Sequence, residues 1–266
     1  MIVAVLGAGK IGEAMAQSLA RSESVSKVLI TRRNVKGLSP ASQKIVVMTD
    51  NRKAVAQAEA VIVSVKASDA KRLLEEISGA VKGKLVISVM AAISLKNLEG
   101  SLPGAQVVRA MPNIAAKVAE SVTAYVPGRG LPKATVERAR EILACAGETV
   151  EVPEHLMDAV TALSGSGPAY IAILIDAMIS AALKVGIPRE IASKLVVRTL
   201  SGTAELIARD GMHPAELRDM VTTPAGTTIA GIYELEKGSL RTSIMNAVEA
   251  ATHASERVSK RFEGGE

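Results

Sequence analysis

Six residues near the N-terminus, GAGKIG (7–12), constrain the fold more than any other stretch. They follow an apolar β-branched run, IVAVLG (2–7), and open a segment with helical spacing at 11–21. In that strand–turn–helix setting the glycines are the fingerprint of a dinucleotide-binding βαβ unit. Gly7 allows the tight turn, Gly9 lets the backbone approach a pyrophosphate, and Gly12 lets helix and strand pack closely. Ala8, Lys10 and Ile11 complete the loop and helix start, whose free N–H groups face the phosphates. A glycine-rich turn without a ligand is the less favoured reading.

Further strand patterns stand at KVLIT (27–31), KIVVM (44–48), AVIVSV (60–65), KLVIS (84–88) and QVVRAM (106–111), with weaker ones at SVTAYV (121–126) and ETVEV (148–152). Most of the early runs are apolar throughout, as strands covered on both faces are. Helical spacing occupies 51–57, 69–78 and 133–145. The alternation predicts an α/β Rossmann-type doubly wound parallel sheet over residues 1–152. After Pro153 no strand pattern returns, and helices are expected at 154–163, 168–184, 189–209, 213–220, 228–237 and 240–260. Residues 153–266 therefore read as an all-α C-terminal domain. Its helix PAYIAILIDAMISAALK (168–184) is apolar on nearly every side, and such a helix is buried all round. A second copy of the chain would cover it. This favours a homodimer or higher assembly through the C-terminal helices over a central helix within one subunit.

The end of the second strand indicates which dinucleotide. NAD sites place Asp or Glu there to bind the ribose hydroxyls. This chain has TRRN (31–34), where Arg32 and Arg33 can grip a 2′-phosphate that a carboxylate would repel, and Thr31 and Asn34 can add neutral hydrogen bonds. NADPH is the expected cofactor, with NADH as the alternative. Asn51, at a later strand–helix turn, is read either as a helix cap or as an adenosine-phosphate contact.

Composition narrows the partners. With 48% hydrophobic and 22% charged residues the chain is globular, and with 2% aromatics its core is aliphatic. The net charge of +5 comes without a basic run interleaved with aromatics, so no nucleic-acid partner is expected. The apolar stretch AYIAILI (169–175) stops at Asp176, short of a bilayer span. The N-terminus lacks a signal-like pattern. A soluble cytoplasmic protein without a membrane partner is the expectation. Cys145, alone in a helical pattern, is expected to be a small buried apolar residue. His155, His213 and His253 lie far apart and are expected to be exposed. With no HExxH and no cysteine cluster, no metal site is expected, nor is an obvious acid–base machine.

One stretch resists a helical reading. TTPAGTT (222–228) holds a Pro, a Gly and four Thr among predicted helices. On residue physics alone, Thr227 capping helix 228–237 is the preferred reading.

The segments GAGKIG (7–12), SVKAS (64–68), ISVMAAIS (87–94), RAMPN (109–113), VTALSGSGPAY (160–170) and DMVTTPAGTTIAGIYELEKGSLR (219–241) resemble the pyrroline-5-carboxylate reductase family almost end to end. ALSGSGPAY and PAGTTIAG are absent from generic Rossmann dehydrogenases. The chain departs from the usual family wording at Lys66-Ala67-Ser68 (often Lys-Pro-Gln), Met90-Ala91-Ala92 (often Ala-Ala-Gly) and Pro224-Ala225-Gly226 (often Pro-Gly-Gly).

The resemblance implies reduction of 1-pyrroline-5-carboxylate to L-proline by NAD(P)H, with the active site formed between the Rossmann half of one subunit and the helical half of another. It reverses the reading of TTPAGTT. Thr223, Gly226, Thr227 and Thr228 become the substrate-carboxylate site, and the Thr228 hydroxyl, the catalytic candidate, meets the imine nitrogen. Val65, Lys66, Ala67, Met90, Ala91 and Asn113 join the cofactor contacts. In ALSGSGP, Ser164 or Ser166 is expected to cap the following helix. Two other readings compete. A β-hydroxyacid dehydrogenase would use a helical lysine, for which Lys184 is the candidate. A non-enzymatic NADPH-sensing dimer would have no need of the Thr-Gly-Thr motif.

Overall fold

The structure, a computed structural model, describes residues 1–33 and 42–264. Asn34 lies outside the described residues. Eight strands form one sheet: β1 (Ile2–Leu6), β2 (Lys27–Thr31), β3 (Ile45–Met48), β4 (Ala60–Val63), β5 (Leu85–Ser88), β6 (Gln106–Met111), β7 (Ser121–Pro127) and β8 (Gly147–Glu151). Their spatial order is β3-β2-β1-β4-β5-β6-β7-β8. Order reverses between β1 and β4, the switch point at which doubly wound sheets bind ligands. The interleaved helices are α1 (Lys10–Arg21), α2 (Asn51–Gln57), α3 (Ala67–Ile77), α4 (Leu95–Ser101) and α5 (Lys133–Ala144).

Each face of the sheet carries an aliphatic layer. Val3 and Val5 of β1 pack with Met15 and Leu19 of α1 and with Ile142 and Leu143 of α5. The alternate residues, Ala4 and Leu6, pack with Val55 of α2, with Leu73, Leu74 and Ile77 of α3, and with Leu98 of α4. Burial on both faces explains the unbroken apolar runs. Each fully buried Leu or Ile contributes about 1.5–3 kcal/mol.

Among the elements of the sheet domain, one strand's direction and one helix differ from the expectation. β7 runs antiparallel to β6, with Arg109 opposite Val126 and Met111 opposite Ala124. The chain between them holds only Pro112 and a 3₁₀ turn at Ile114–Val118, with Ala119 left-handed at φ 62°. A parallel return needs a crossover of a dozen residues or more. The helix is α4, which the sequence reading did not foresee; Ser94 caps it by accepting from the Asn97 N–H.

Beyond β8 the chain forms a 3₁₀ turn (Glu154–Leu156), α6 (Met157–Val160) and a π-helical turn (Thr161–Gly165) that runs into α7 (Gly167–Lys184). α8 (Arg189–Asp210), α9 (Pro214–Met220), α10 (Thr227–Lys237) and α11 (Leu240–Gly264) follow. Neither Ser164 nor Ser166 caps α7, because the helical path is continuous; the Ser166 N–H donates to the Thr161 carbonyl at 2.9 Å. The helical run Glu154–Lys184 contains a stretch of 18 residues with mean hydropathy 1.6, long and apolar enough by composition to cross a bilayer. Asp176 alone does not interrupt it, which corrects the reading based on residues 169–175. Cys145 is half-buried rather than buried, packed at the edge of the first aliphatic layer. All three histidines are exposed, and His213 caps α9 by accepting the Ala215 N–H.

The chain divides into two compact units, Met1–Pro168 with Glu249–Glu266, and Ala169–Val248. The first therefore extends past residue 152. Met157 is buried in the second aliphatic layer, and Asp158 accepts from the hydroxyls of Ser255 (2.6 Å) and Ser259 (3.2 Å) on α11. Arg109, 4% exposed on β6, donates to Glu154 at 2.6 Å, and the same carboxylate oxygen accepts the Leu95 N–H at 2.9 Å. The second unit has a small core of Ile179, Ala192 and Val196. Ile173, Leu195, Tyr233 and Met245 stand exposed on it.

The pair of Arg109 and Glu154 gives a stability test. Glu154→Ala leaves a buried guanidinium and the Leu95 N–H unpaired, costing about 2–3 kcal/mol, because the orphaned groups keep their desolvation penalty. The melting temperature should fall by roughly 5 °C or more in calorimetry. Glu154→Gln, which keeps an acceptor, should fall between.

Candidate functional site

At the switch point the C-terminal ends of β1, β2 and β4 and one face of α3 surround a cleft of about 590 Å³. Its floor is the glycine loop. Gly7 sits at φ 105°, and a Cβ there would lie 2.5 Å from the Ser64 carbonyl oxygen and 2.7 Å from Val65 Cγ1. A Cβ on Gly12 would overlap the Gly7 carbonyl oxygen. Gly9 differs: its missing Cβ would meet nothing within 4 Å. Gly9 is also the N-cap of α1, in extended conformation and with no side-chain cap. The first two glycines let protein pack on protein, and the third leaves open backbone and free N–H groups facing the cleft. That arrangement suits a pyrophosphate.

The ribose end is cationic. Arg32 and Arg33 line the cleft just after β2, in the place of the carboxylate of NAD sites. Arg32 reaches Glu13 at 3.5 Å, and Arg33 reaches Asp69 at 2.9 Å. Both arginines are largely exposed, so these pairs are weak and exchangeable. The Thr31 hydroxyl donates to Asn51 Oδ1 at 2.6 Å, and Asn51 Nδ2 donates to both Glu76 oxygens at 3.1 Å. Asp50, not Asn51, caps α2, accepting the Lys53 N–H. Asn51 therefore stands in the cleft wall with its amide oriented from both ends. The residues present fit a dinucleotide carrying a 2′-phosphate.

Of the expected cofactor residues, Gly7, Ala8, Gly9, Arg32, Arg33, Asn51, Val65 and Lys66 line this cleft together. Lys10 is exposed in the first turn of α1, and Ile11 and Gly12 pack inward. Ala67 is half-buried at the start of α3, and Ala91 is exposed. The Met90 side chain is in the core at 2% exposure, so only its backbone can meet a ligand. Asn113 is engaged locally: Oδ1 accepts the Ala115 N–H at 2.9 Å, and Nδ2 donates to the Ser164 hydroxyl at 3.4 Å. Sequence reasoning missed Asp69, Arg72 and Glu76, which line the cleft from α3. Their spacing of three and four residues puts them on one helix face, a signal that was available.

In the second unit, TTPAGTT forms a tight turn. The Thr222 hydroxyl donates to the Arg218 carbonyl at 2.6 Å, and the Gly226 N–H donates to the Thr223 carbonyl at 3.0 Å. Ala225 is left-handed at φ 56°. Gly226 has no room for a Cβ, which would strike the Thr223 hydroxyl. Thr227 is not the cap of α10: Gly226 is, with no side chain capping the first turn. The N–H groups of Thr227 and Thr228 therefore open α10 with an anion-attracting dipole end.

Residues 154–258 match a family model described as pyrroline-5-carboxylate reductase dimerisation, and residues 2–92 match one described as NADP oxidoreductase, coenzyme F420-dependent. A pyrroline-5-carboxylate reductase of Methanosarcina acetivorans is 40% identical over 97% of this chain and 98% of its own. One of Synechocystis sp. is 41% identical over 81% of this chain and 80% of its own. The crystal structure of Plasmodium falciparum pyrroline carboxylate reductase with NADP bound superposes with TM-score 0.90 at 28% identity, over 97% of this chain and 98% of that one. Relatives of that name at 40–41% identity over most of both chains decide the matter: this chain belongs to the pyrroline-5-carboxylate reductase family.

Proposed function

We propose that this chain reduces 1-pyrroline-5-carboxylate to L-proline with NADPH, the last step of proline biosynthesis. The observation that carries this reading is a cleft fitted to a 2′-phosphorylated dinucleotide, in a chain 40% identical over 97% of its length to a reductase of that name. The bound dinucleotide supplies a hydride, and every other role falls to the chain. Thr227 and Thr228 hold the substrate carboxylate on their backbone N–H groups, with Gly226 allowing close approach and the Thr223 hydroxyl adding a donor. The Thr228 hydroxyl hydrogen-bonds the ring nitrogen and orients the C=N bond. A protonated imine is already electrophilic, so positioning does most of the work and no strong base is needed.

In this reading residues 1–152 form the cofactor half, and 153–266 the dimerisation and substrate half. The exposed apolar surface of the second unit supports a homodimer, since large exposed apolar patches mark interaction surfaces. The same pairing accounts for the apolar run Glu154–Lys184 without a membrane. Among the described residues no group of His, Cys, Asp or Glu is placed to hold a metal. We place the enzyme in the cytoplasm, with no nucleic-acid or membrane partner.

NADPH oxidation followed by absorbance should require 1-pyrroline-5-carboxylate. Turnover of 3-hydroxy acids with NADP instead would indicate a hydroxyacid dehydrogenase, and turnover in neither mixture a dinucleotide-sensing dimer. Thr228→Ala should lower kcat/KM by roughly 5- to 150-fold, equivalent to about 1–3 kcal/mol for one lost hydrogen bond; full activity would remove Thr228 from the reaction. Replacing Arg32 and Arg33 together by Ala should weaken NADPH roughly 10- to 100-fold and leave NADH nearly unchanged, as lost charge-assisted hydrogen bonds predict. Equal losses in titrations of both cofactors would refute their assignment.

A further inference from the structure

We propose that Arg72, on α3, is a third cation of the 2′-phosphate site and a determinant of NADPH over NADH. The inference rests on the reading of the cleft as an NADP site. Arg72 lines the cleft from the helix, across from the β2 end that carries Arg32 and Arg33. One carboxylate brings two of these arginines together. Asp69 Oδ2 accepts from Arg33 Nη2 at 2.9 Å, and Asp69 Oδ1 accepts from Arg72 Nη2 at 3.5 Å. Two guanidinium groups thus share one carboxylate, a single negative charge against two positive ones.

The neighbouring charges set the sign of the site. Arg32, Arg33, Lys66 and Arg72 line the cleft against the carboxylates of Asp69 and Glu76. Glu76 is occupied by Asn51, accepting both contacts from its amide. That leaves Asp69 as the counter-ion of Arg33 and Arg72. Their side chains are 73% and 65% exposed, so the bridge is solvent-screened and weak. A phosphate presents more charge and three acceptor oxygens to the same fork-shaped donors, so it can exchange with the carboxylate. The location selects the 2′-phosphate over the pyrophosphate. Arg72 is tied to Arg33 at the ribose end, whereas the pyrophosphate seat is the open backbone at Gly9.

The test is binding, not turnover. Dissociation constants of NADPH, NADH, 2′,5′-ADP and 5′-AMP are measured by calorimetry at one ionic strength on the full chain and on Arg72→Ala. We expect NADPH and 2′,5′-ADP to bind about tenfold more weakly to the variant, the loss of one charge-assisted contact, with NADH and 5′-AMP within about twofold. Arg72→Lys should recover part of the loss, keeping the charge but not the fork. Equal weakening of all four ligands, or of none, overturns the role of Arg72. If the unmodified chain binds 5′-AMP as tightly as 2′,5′-ADP, the NADP reading itself fails. If preference survives in Arg72→Ala but is lost when Arg32 and Arg33 are replaced, only the third cation fails.

Discussion

The close approach of three backbone segments at the end of β1 underlies the cofactor half. Gly7 lies against the Ser64 carbonyl and Val65, and Gly12 lies against Gly7. No side chain can stand at either place, because the atoms in the way are mostly backbone and cannot rotate aside. With both positions bare, α1 seats on the sheet and β1 aligns with β4 across the switch point. Only then do the ends of β2 and β4 and the face of α3 surround one cleft. The aliphatic layers supply most of the folding free energy, but the glycine contacts decide where the cleft opens.

The two units meet the problem of burial differently. The sheet covers both faces with its own helices and leaves little apolar surface over. The unit Ala169–Val248 buries Ile179, Ala192 and Val196 as its core, while large apolar side chains on α7, α8, α10 and α11 face outward. A helix such as α7, apolar nearly all round, gains its burial from association. A family match described as dimerisation, spanning residues 154–258, accords with that surplus.

Much of this was legible in the sequence. All eight strands fall where β-branched runs predicted them, most clearly β1, β2, β4 and β5, whose burial on both faces leaves a continuous apolar signature, and least clearly the exposed β8. The arginines after β2 were readable because the fold fixes what that position does. Less legible were features set by three-dimensional context. The pair of buried Arg109 and half-buried Glu154 joins residues 45 apart and has no local pattern. The π-helical turn at Thr161–Gly165 looked like a break followed by a cap. Two departures from the family wording prove to be alanines on left-handed backbone, Ala92 at φ 62° and Ala225 at φ 56°. Glycine would adopt that geometry freely, whereas alanine carries a cost of about 1–2 kcal/mol at each. A substitution list shows the changed residue but not the backbone angle that gives it meaning.

The helix starts make a finer distinction that sequence reading blurred. Where α2, α4 and α9 begin, Asp50, Ser94 and His213 accept a first-turn N–H with their own side chains. Where α5 and α8 begin, proline stands at the cap. α1 and α10 instead begin at Gly9 and Gly226, in nearly the same extended conformation (φ −85°, ψ −174° and φ −77°, ψ 171°), with no side-chain cap. A cap satisfies the first-turn donors internally and so removes them from use, whereas a bare glycine leaves them for an outside acceptor. The two helices left open in this way are those assigned to the dinucleotide phosphates and to the substrate carboxylate. Under the proposed function one device, a glycine in place of a capping side chain, would serve both anions, with neutral threonines around the second.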